Sequence, residues 1–296
     1  MIFRNAHIIV VANFLISGLV AAADRPNLNL DFWQAHNRTL ALQVQQRQHA
    51  YREIDTKGLT TDGTLNSETG AVQGWAVQAR WQGSAGPMPL WLEAGTSEAS
   101  GQTDYNGYLQ NGNKLIPYRA KTGNHWQRTD VRVGYPWSPA ALPNLQVVPF
   151  AHWGQHHWQR NLVQYSETYR FDTQGAGLLV QWQVPSQWAG SNNAWVLEAS
   201  YQRGRPSPAL VQAPQLGFEA NQAAGDSEQT DITLHYRRNT PNSETLTAHA
   251  LSAGGLQFKA SQSQTQHGAS PVVNGLQSPP NTNRITTLSA GVVWHY

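Results

Sequence analysis

The side chains best suited to chemistry in this chain are its histidines, three of which lie close together in residues 151–160 (AHWGQHHWQR). In a regular strand His152 and His156 share a face but stand about 13 Å apart, at about 3.3 Å per residue, and His157 points the other way. A tight metal site would therefore need a bulge or ligands from other strands. We predict no metal site and no cofactor here, only histidines at the end of a strand.

Hydrolytic chemistry has two candidate sets of residues. Asp231 and His235 are the nearest Asp–His pairing, but four residues along one strand again separate them by about 13 Å. Ser166 and Glu167 could join His156 or His157 in a Ser–His–carboxylate triad if the strand ends meet, although no spacing in the sequence enforces it. The sequence therefore favours a non-enzymatic protein and keeps a hydrolase of lipid or peptide as an alternative.

The composition restricts what can position these side chains. The chain contains no cysteine, so disulfides cannot stabilise it. Charged residues make up only 13% of the sequence, against about 25% in a typical soluble domain. The net charge of +2, without a basic run, argues against a nucleic-acid partner. Mean hydropathy is −0.50, but this does not exclude a membrane β-barrel, in which only alternate residues face lipid.

The N-terminal residues indicate export. Arg4 precedes a mostly apolar stretch at 8–19, and small residues at 21–23 suit a cleavage site, so residues 1–23 are predicted to be a secretory signal peptide. Residues 24–38 show no strand alternation. We interpret them as a periplasmic N-terminal segment that serves as a lead-in or a plug.

Residues 39–296 divide into ten segments in which apolar and polar residues alternate with period two. The predicted strands are 39–54, 71–81, 88–96, 126–135, 145–158, 165–184, 194–202, 230–238, a segment beginning near 245, and 284–296. Ambiguous parity predicts a bulge at Pro149 and another at 175–177. The connections mostly alternate between long and short, with a long polar loop predicted at 97–125.

The last predicted strand, Arg284 to Tyr296 (RITTLSAGVVWHY), is apolar on one face and ends on an aromatic residue. It resembles the closing strand of Gram-negative outer-membrane β-barrels. The resemblance implies an all-β, antiparallel up-and-down transmembrane β-barrel of about ten strands, with 8–12 open, located in the bacterial outer membrane. It also implies that the barrel-assembly machinery reads this strand. A soluble secreted β-protein is the alternative fold.

The alternation of side chains along each strand assigns one set of residues to the lipid-facing side and another to the lumen. Aromatic residues beside the short turns and the C-terminus are expected to face lipid in an interfacial girdle: Trp81, Tyr135, Trp182, Trp195, Tyr236, Trp294 and Tyr296. The opposite faces carry a charged network expected to line the lumen: Arg80, Glu93, Arg128, Asp130, Arg132, Glu198, Asp231, His235 and Arg237. We expect Glu93 to face Arg128, Asp130 and Arg132, and Glu198 to face Asp231 and Arg237. These side chains are expected to fill the barrel rather than line a conducting pore.

Omptin surface proteases are ten-stranded barrels of similar length that use Asp and His pairs at the extracellular rim. Residues 103–105 (TDY) provide a single aspartate, and no omptin motif is present. The sequence therefore predicts a non-enzymatic integral outer-membrane protein with a structural, adhesin-like or narrow porin-like role. Its expected partners are outer-membrane lipid and an extracellular ligand of unknown identity.

Overall fold

The computed structural model describes residues 30–85, 87–111, 114–162, 165–185, 193–238 and 254–296. The predicted signal peptide, residues 1–23, lies outside the described residues. In the described residues, ten long strands and one short hairpin are preceded by about two turns of helix. The elements are α1 (Leu30–His36), β1 (Thr39–Ile54), β2 (Thr64–Ala85), β3 (Met88–Asn111), β4 (Lys114–Gly134), β5 (Leu145–Asn161), β6 (Ser166–Gln183), β7 (Asn193–Pro206), β8 (Ala209–Ala213), β9 (Phe218–Gln222), β10 (Ser227–Arg238), β11 (Gly254–His267) and β12 (Asn281–His295). No helix in this part of the chain is long and apolar enough to cross a membrane.

The long strands form a closed antiparallel barrel. Their order is β5-β4-β3-β2-β1-β12-β11-β10-β7-β6, and pairing of β5 with β6 completes the circle. The last strand closes against the first in an unbroken register from Thr39↔His295 to Glu53↔Asn281. Closure leaves no edge strand along the paired region. The predicted ten-stranded up-and-down barrel, closed by the C-terminal strand, is confirmed.

The short hairpin β8–β9 extends the wall of the barrel at one end. Gly204 pairs with Ser227 in β7–β10, and Ala209 pairs with Gln222 in β8–β9, so both hairpins follow one continuous register. Strand β8 also pairs with the start of β6, at residues 168–170. The β7–β10 pair and the β8–β9 hairpin therefore form one long antiparallel ribbon that is interrupted near Pro208.

Three predictions about the strands are wrong. The expected loop at 97–125 is instead β-structure, because β3 and β4 pair from Trp91↔Gly134 to Asn111↔Lys114. The alternation there persists, but outward positions change from apolar to polar, which hid the strand. The two expected bulges are absent, since β5 and β6 keep one register from Leu145↔Trp182 to Asn161↔Ser166.

The ninth predicted strand is described only in part. Its start near residue 245 falls outside the described residues. The strand that pairs with β10 and β12 is β11, Gly254–His267. Its outward face is apolar at Leu256 and Phe258 and then becomes polar, so only a short part of β11 alternates between apolar and polar residues.

An apolar band surrounds the outside of the barrel. On β1 the outward residues Leu40, Leu42 and Val44 are 41%, 46% and 70% exposed, and polar Gln46 follows. Neighbouring strands repeat this pattern at the same level, because Leu42 pairs with Val77 on β2 and with Val292 on β12. Such a belt suits a lipid bilayer and is costly in water.

Aromatic side chains mark both edges of this band. The predicted girdle residues lie on outward faces at the end that contains both Thr39 and His295, and the rings of Trp195 and Tyr236 are 4.7 Å apart. Six residues further along their strands, about 20 Å, the exposed Trp75 and Tyr201 form part of a second edge. Beyond that edge the outward faces are polar.

Candidate functional site

Side chains on the inward faces of five strands form a buried ion-pair network near the end of the barrel where β1 begins and β12 ends. Arg80 on β2 lies 2.8 Å from Glu93 on β3 and 2.7 Å across the lumen from Glu198 on β7. Arg132 on β4 contacts the same Glu93 at 3.0 Å and Asp231 on β10 at 3.4 Å. Strand pairing places Glu93 directly between Arg80 and Arg132, so the contacts of Glu93 with these two arginines follow from the register.

A third cation balances this network. Lys259 on β11 lies 3.2 Å from Asp231. We call this set the lower ion-pair network. It contains as many cations as carboxylates: Arg80, Arg132 and Lys259 with Glu93, Glu198 and Asp231. Buried charges require such pairing, because each would otherwise lose its hydration without compensation. The balanced set closes the lumen at this level.

Helix α1 blocks the lumen below the network. Trp33 is fully buried, and Asn37, just after the helix, is fully buried among three glutamines. Asn37 Nδ2 donates to the Oε1 atoms of Gln82 (2.6 Å), Gln146 (3.1 Å) and Gln181 (3.0 Å). These glutamines come from β2, β5 and β6, so one side chain ties the helix to opposite walls of the barrel.

His36 continues the contact between helix and network. Its Nε2 lies 3.1 Å from Glu198 Oε1, and Nε2 of His235 lies 3.0 Å from Glu198 Oε2. Burial lowers the pKa of His36 to about 4, although the hydrogen bond to Glu198 favours the charged ring. His36 is therefore neutral at pH 7.

His36, Glu198 and His235 place three ligand atoms within 4.8 Å of one another, and two imidazoles with a carboxylate are a zinc-type donor set. Arg80, however, donates to both oxygens of Glu198, at 2.7 and 3.1 Å. A divalent cation would have to displace that guanidinium. The donor set fits an ion-pair network better than a metal centre.

A second charged layer crosses the lumen near the other end of the strands. Arg160 on β5, which is 1% exposed, lies 2.8 Å from Glu167, 3.0 Å from Glu68 and 3.5 Å from Glu53. Hydroxyl groups stabilise two of these carboxylates: Tyr51 donates to Glu53 (2.9 Å) and Tyr169 to Glu167 (3.0 Å). We call Arg160 and these three glutamates the upper ion-pair network.

Stacked aromatic rings close the lumen beside the upper network. Trp158 stacks on Trp126 at 5.8 Å and on Tyr169 at 4.8 Å. The Arg160 guanidinium lies over the rings of Tyr51 at 4.8 Å and Trp158 at 5.3 Å, in cation–π geometry. The rings and charges together leave no open path at this level of the described structure.

Between the two networks lies a polar cavity of about 110 Å³. Strands β1–β4 and β10–β12 all contribute to its lining. Its wall is built from glutamine, serine and threonine side chains together with charged groups. This cavity and its two closing layers are the candidate functional site.

The comparisons with solved structures agree on the architecture. The outer-membrane protease OmpT of Escherichia coli matches with a TM-score of 0.50 and 8% identity over 87% of this chain and 96% of its own. The transport unit of the autotransporter AIDA-I of E. coli has a TM-score of 0.42 and 11% identity, covering 97% of each chain. The translocator domain of the autotransporter NalP of Neisseria meningitidis has a TM-score of 0.36 and 11% identity, covering 98% of this chain and 96% of that one.

This chain has the fold of a Gram-negative outer-membrane β-barrel. No family model and no curated protein matches its sequence. At 8% identity, the likeness to OmpT shows the fold alone. The fold by itself therefore leaves the role open.

The outer-membrane barrel brings the predicted lumen residues together differently from expectation. Glu198 pairs across the lumen with Arg80 rather than with its strand neighbours Asp231 and Arg237. Arg128 and Asp130 pair with each other, at 2.6 Å, rather than with Glu93. Lateral strand spacing alone misses such contacts, because long side chains from opposite walls of a narrow barrel also meet across the lumen.

The candidate triad of the hydrolase alternative is not assembled. Ser166 pairs with Asn161 across β5–β6, whereas His157 pairs with Arg170, so four residues of strand separate them, about 13 Å. His157 Nδ1 lies instead 3.4 Å from Gln127 Oε1. His152 and His156 share a face, as their parity predicts, and that face points inward.

Sequence reasoning missed the whole upper network and Asn37. Arg160 shares the parity of His152, His156 and Trp158 on β5, so extending that alternation two residues further would have placed it inward. Glu53 could have been found in the same way on β1. Asn37 lies in a segment without alternation, and no pattern in the sequence indicates its three glutamine partners.

Proposed function

We propose that this chain is an integral outer-membrane protein with a filled, non-conducting lumen, and that it acts at the cell surface in a structural or adhesin-like role. The observation that carries this proposal is the double closure of the lumen by the lower and upper ion-pair networks. Helix α1 adds a third obstruction. A porin-like role would need a continuous aqueous path past both networks and α1.

The outer surface supports membrane integration. The apolar band spans about four outward residues on each strand, which suits the roughly 25 Å belt of outer-membrane barrels. Its edges carry aromatic side chains, as interfaces favour. In this orientation the C-terminal strand, Arg284 to Tyr296, would be the segment offered to the assembly machinery.

The far end of the barrel supports a role in surface contact. Strands β2, β3 and β4 continue well past the apolar band, and β3 and β4 pair as far as Asn111↔Lys114. The outward residues of this extension are charged or polar, including an exposed pair between Lys121 and Asp104 at 2.6 Å. A rigid, polar wall of this kind suits contact with an extracellular ligand. A hydrolase of lipid or peptide remains the alternative, but its candidate pair, Ser166 and His157, is not assembled.

The experiment uses the full chain folded in detergent and in lipid vesicles. We expect the unheated protein to differ in gel mobility from the heated protein. We also expect to recover the protein in the outer-membrane fraction of expressing cells. In planar bilayers the wild type should produce no steady single-channel steps. Arg284→Gln, which alters only an outward side chain, is the matched control for handling and insertion.

Two results would contradict the proposal in different ways. A mature protein that is soluble without detergent and shows no heat shift would remove the membrane assignment. Steady conductance steps from the wild type would retain the membrane assignment and overturn the filled lumen. Binding of labelled protein to host cells or matrix then tests the adhesin-like role directly.

A further inference from the structure

One buried cation in the central cavity has no carboxylate partner. Arg47 faces inward on β1 and is 8% exposed. Its Nε and Nη2 donate to Gln45 Oε1 at 3.1 and 2.8 Å, and Nη2 also donates to Ser97 Oγ at 2.8 Å. Both partners are neutral. No ion pair joins Arg47 to a carboxylate in the described part of the chain.

The carboxylates of the cavity are already engaged by other cations. Asp130 is bound by Arg128 at 2.6 Å, and Glu93 is shared by Arg80 and Arg132 at 2.8 and 3.0 Å. Because the lower network is balanced and Arg128 pairs with Asp130, the charge of Arg47 is left over. A buried charge without a counter-charge is unfavourable.

The cavity has room and donors for a counter-ion. Its volume of about 110 Å³ exceeds the roughly 10–15 Å³ that one water needs, so it holds several water-sized groups. Arg47 shares the lining with hydroxyl and amide donors: Gln78, Ser97, Gln229, Ser261, Thr287 and Ser289. Guanidinium, hydroxyl and amide N–H groups are the donors that anions accept hydrogen bonds from.

We propose that the central cavity binds one small monovalent inorganic anion, of halide size, at the guanidinium of Arg47. A single charge matches the single uncompensated cation. A multiply charged anion is disfavoured, because Glu93 and Asp130 line the same cavity. The anion is a structural component of the lumen between the two networks and does not require conduction.

Bromide is a suitable probe, because it replaces chloride and scatters anomalously. The full chain is refolded in detergent with bromide, so that the ion can enter before the lumen closes, and crystallised. We expect an anomalous peak within hydrogen-bonding distance of the Arg47 guanidinium. In solution, the thermal unfolding midpoint should rise with bromide to a plateau, relative to the bulkier gluconate at matched ionic strength.

Three variants separate a specific site from general salt effects. Arg47→Gln should lose both the internal peak and the bromide-dependent shift, whereas Arg47→Lys, which keeps the charge, should retain the shift at reduced affinity. Arg284→Gln, an outward control, should behave as wild type. If Arg47→Gln does not fold, the wild-type and Arg47→Lys crystals still decide.

Two results would overturn the proposal. Wild-type crystals without an internal bromide peak would show that Arg47 is solvated by water alone. An equal bromide shift in wild type and Arg47→Gln, or peaks only on the outer surface, would indicate an adventitious ion only. Neither result bears on conductance or on heat-modified migration, so failure here is distinguishable from failure of the proposed function.

Discussion

Asn37 and Gln181 exchange two hydrogen bonds inside the barrel. Asn37 Nδ2 donates to Gln181 Oε1 at 3.0 Å, and Gln181 Nε2 donates back to Asn37 Oδ1 at 2.9 Å. Both side chains are fully buried. This reciprocal amide pair fixes the end of α1 to the wall and makes the helix part of the barrel core.

Replacing Asn37 by leucine should destabilise the barrel, because the amide groups of Gln82, Gln146 and Gln181 would lose their partner. One unsatisfied buried polar group costs about 1–3 kcal/mol, so we expect a loss of that order or somewhat more in the free energy of unfolding, measured with denaturant in detergent micelles. Gln48→Leu, on the exposed face of β1, is the control. Equal stability of both variants would show that α1 is not anchored by Asn37.

The neutrality of His36 predicts acid sensitivity. Its folded-state pKa of about 4 lies below the ordinary value, so the unfolded chain binds a proton more readily than the native one. The stabilisation is therefore complete above about pH 6.5 and is lost as the pH falls towards 4, by about 3 kcal/mol. His36→Gln should show a shallower pH dependence of unfolding than wild type over this window. Parallel curves would contradict the assignment.

Glu198 should be more sensitive than any exposed carboxylate. Glu198→Gln leaves Arg80 with Glu93 alone, and breaking one partner of a buried pair typically costs about 3–5 kcal/mol. Glu228→Gln, on the outward face of β10, should change stability little. In a double-mutant cycle, Arg80→Met should cost much less in the Glu198→Gln background than in wild type. Additive costs would argue against the contact.

The upper network predicts a pH-dependent defect. Arg160→Met removes the cation shared by Glu53, Glu68 and Glu167, so the remaining carboxylates repel one another. The loss of unfolding free energy should be larger at pH 8 than at pH 5, because protonated carboxyl groups carry no charge. Arg170→Met, an exposed change on β6, should show no such trend. A defect of equal size at both pH values would indicate lost packing rather than charge.

Two positions on β12 test which face meets lipid. A lysine at Val292, exposed at 41% in the apolar band, should cost about 2–4 kcal/mol near the bilayer midplane. Ser289 is inward, and its hydroxyl donates to Gln43 Oε1 at 2.9 Å, so Ser289→Ala should cost about 1 kcal/mol. Unfolding in lipid vesicles measures both. Equal tolerance of the two changes would reverse the assignment of faces.

Much of the barrel was predictable because strand parity has a strict period. Leu288, Val292 and Trp294 share one face in the sequence and face outward in the structure, and the strand count follows from the same alternation. The strand prediction is wrong where the outward residues stop being apolar. Residues 97–111 continue β3 with Glu98 and Asp104 outside, and an apolar face was the signal on which the prediction depended.

The site was harder to predict, because its contacts cross the lumen. Parity places Arg80 and Glu198 inward, but only the radius and closure of the barrel bring them to 2.7 Å. Asn37 and Arg160 lie at the margins of regular strands, where the pattern ends. Partner identity in a narrow lumen depends on all ten strands at once, and a one-dimensional pattern does not contain that information.

The seam between β1 and β12 has a consequence for how the molecule is made. Thr39 pairs with His295, so closure joins the two extremes of the sequence, and such high contact order makes folding slow. Until the last strand arrives, β1 presents a long unpaired edge that invites aggregation. An exported chain therefore needs this edge protected until β12 pairs with β1, because without β12 the barrel stays open between β11 and β1.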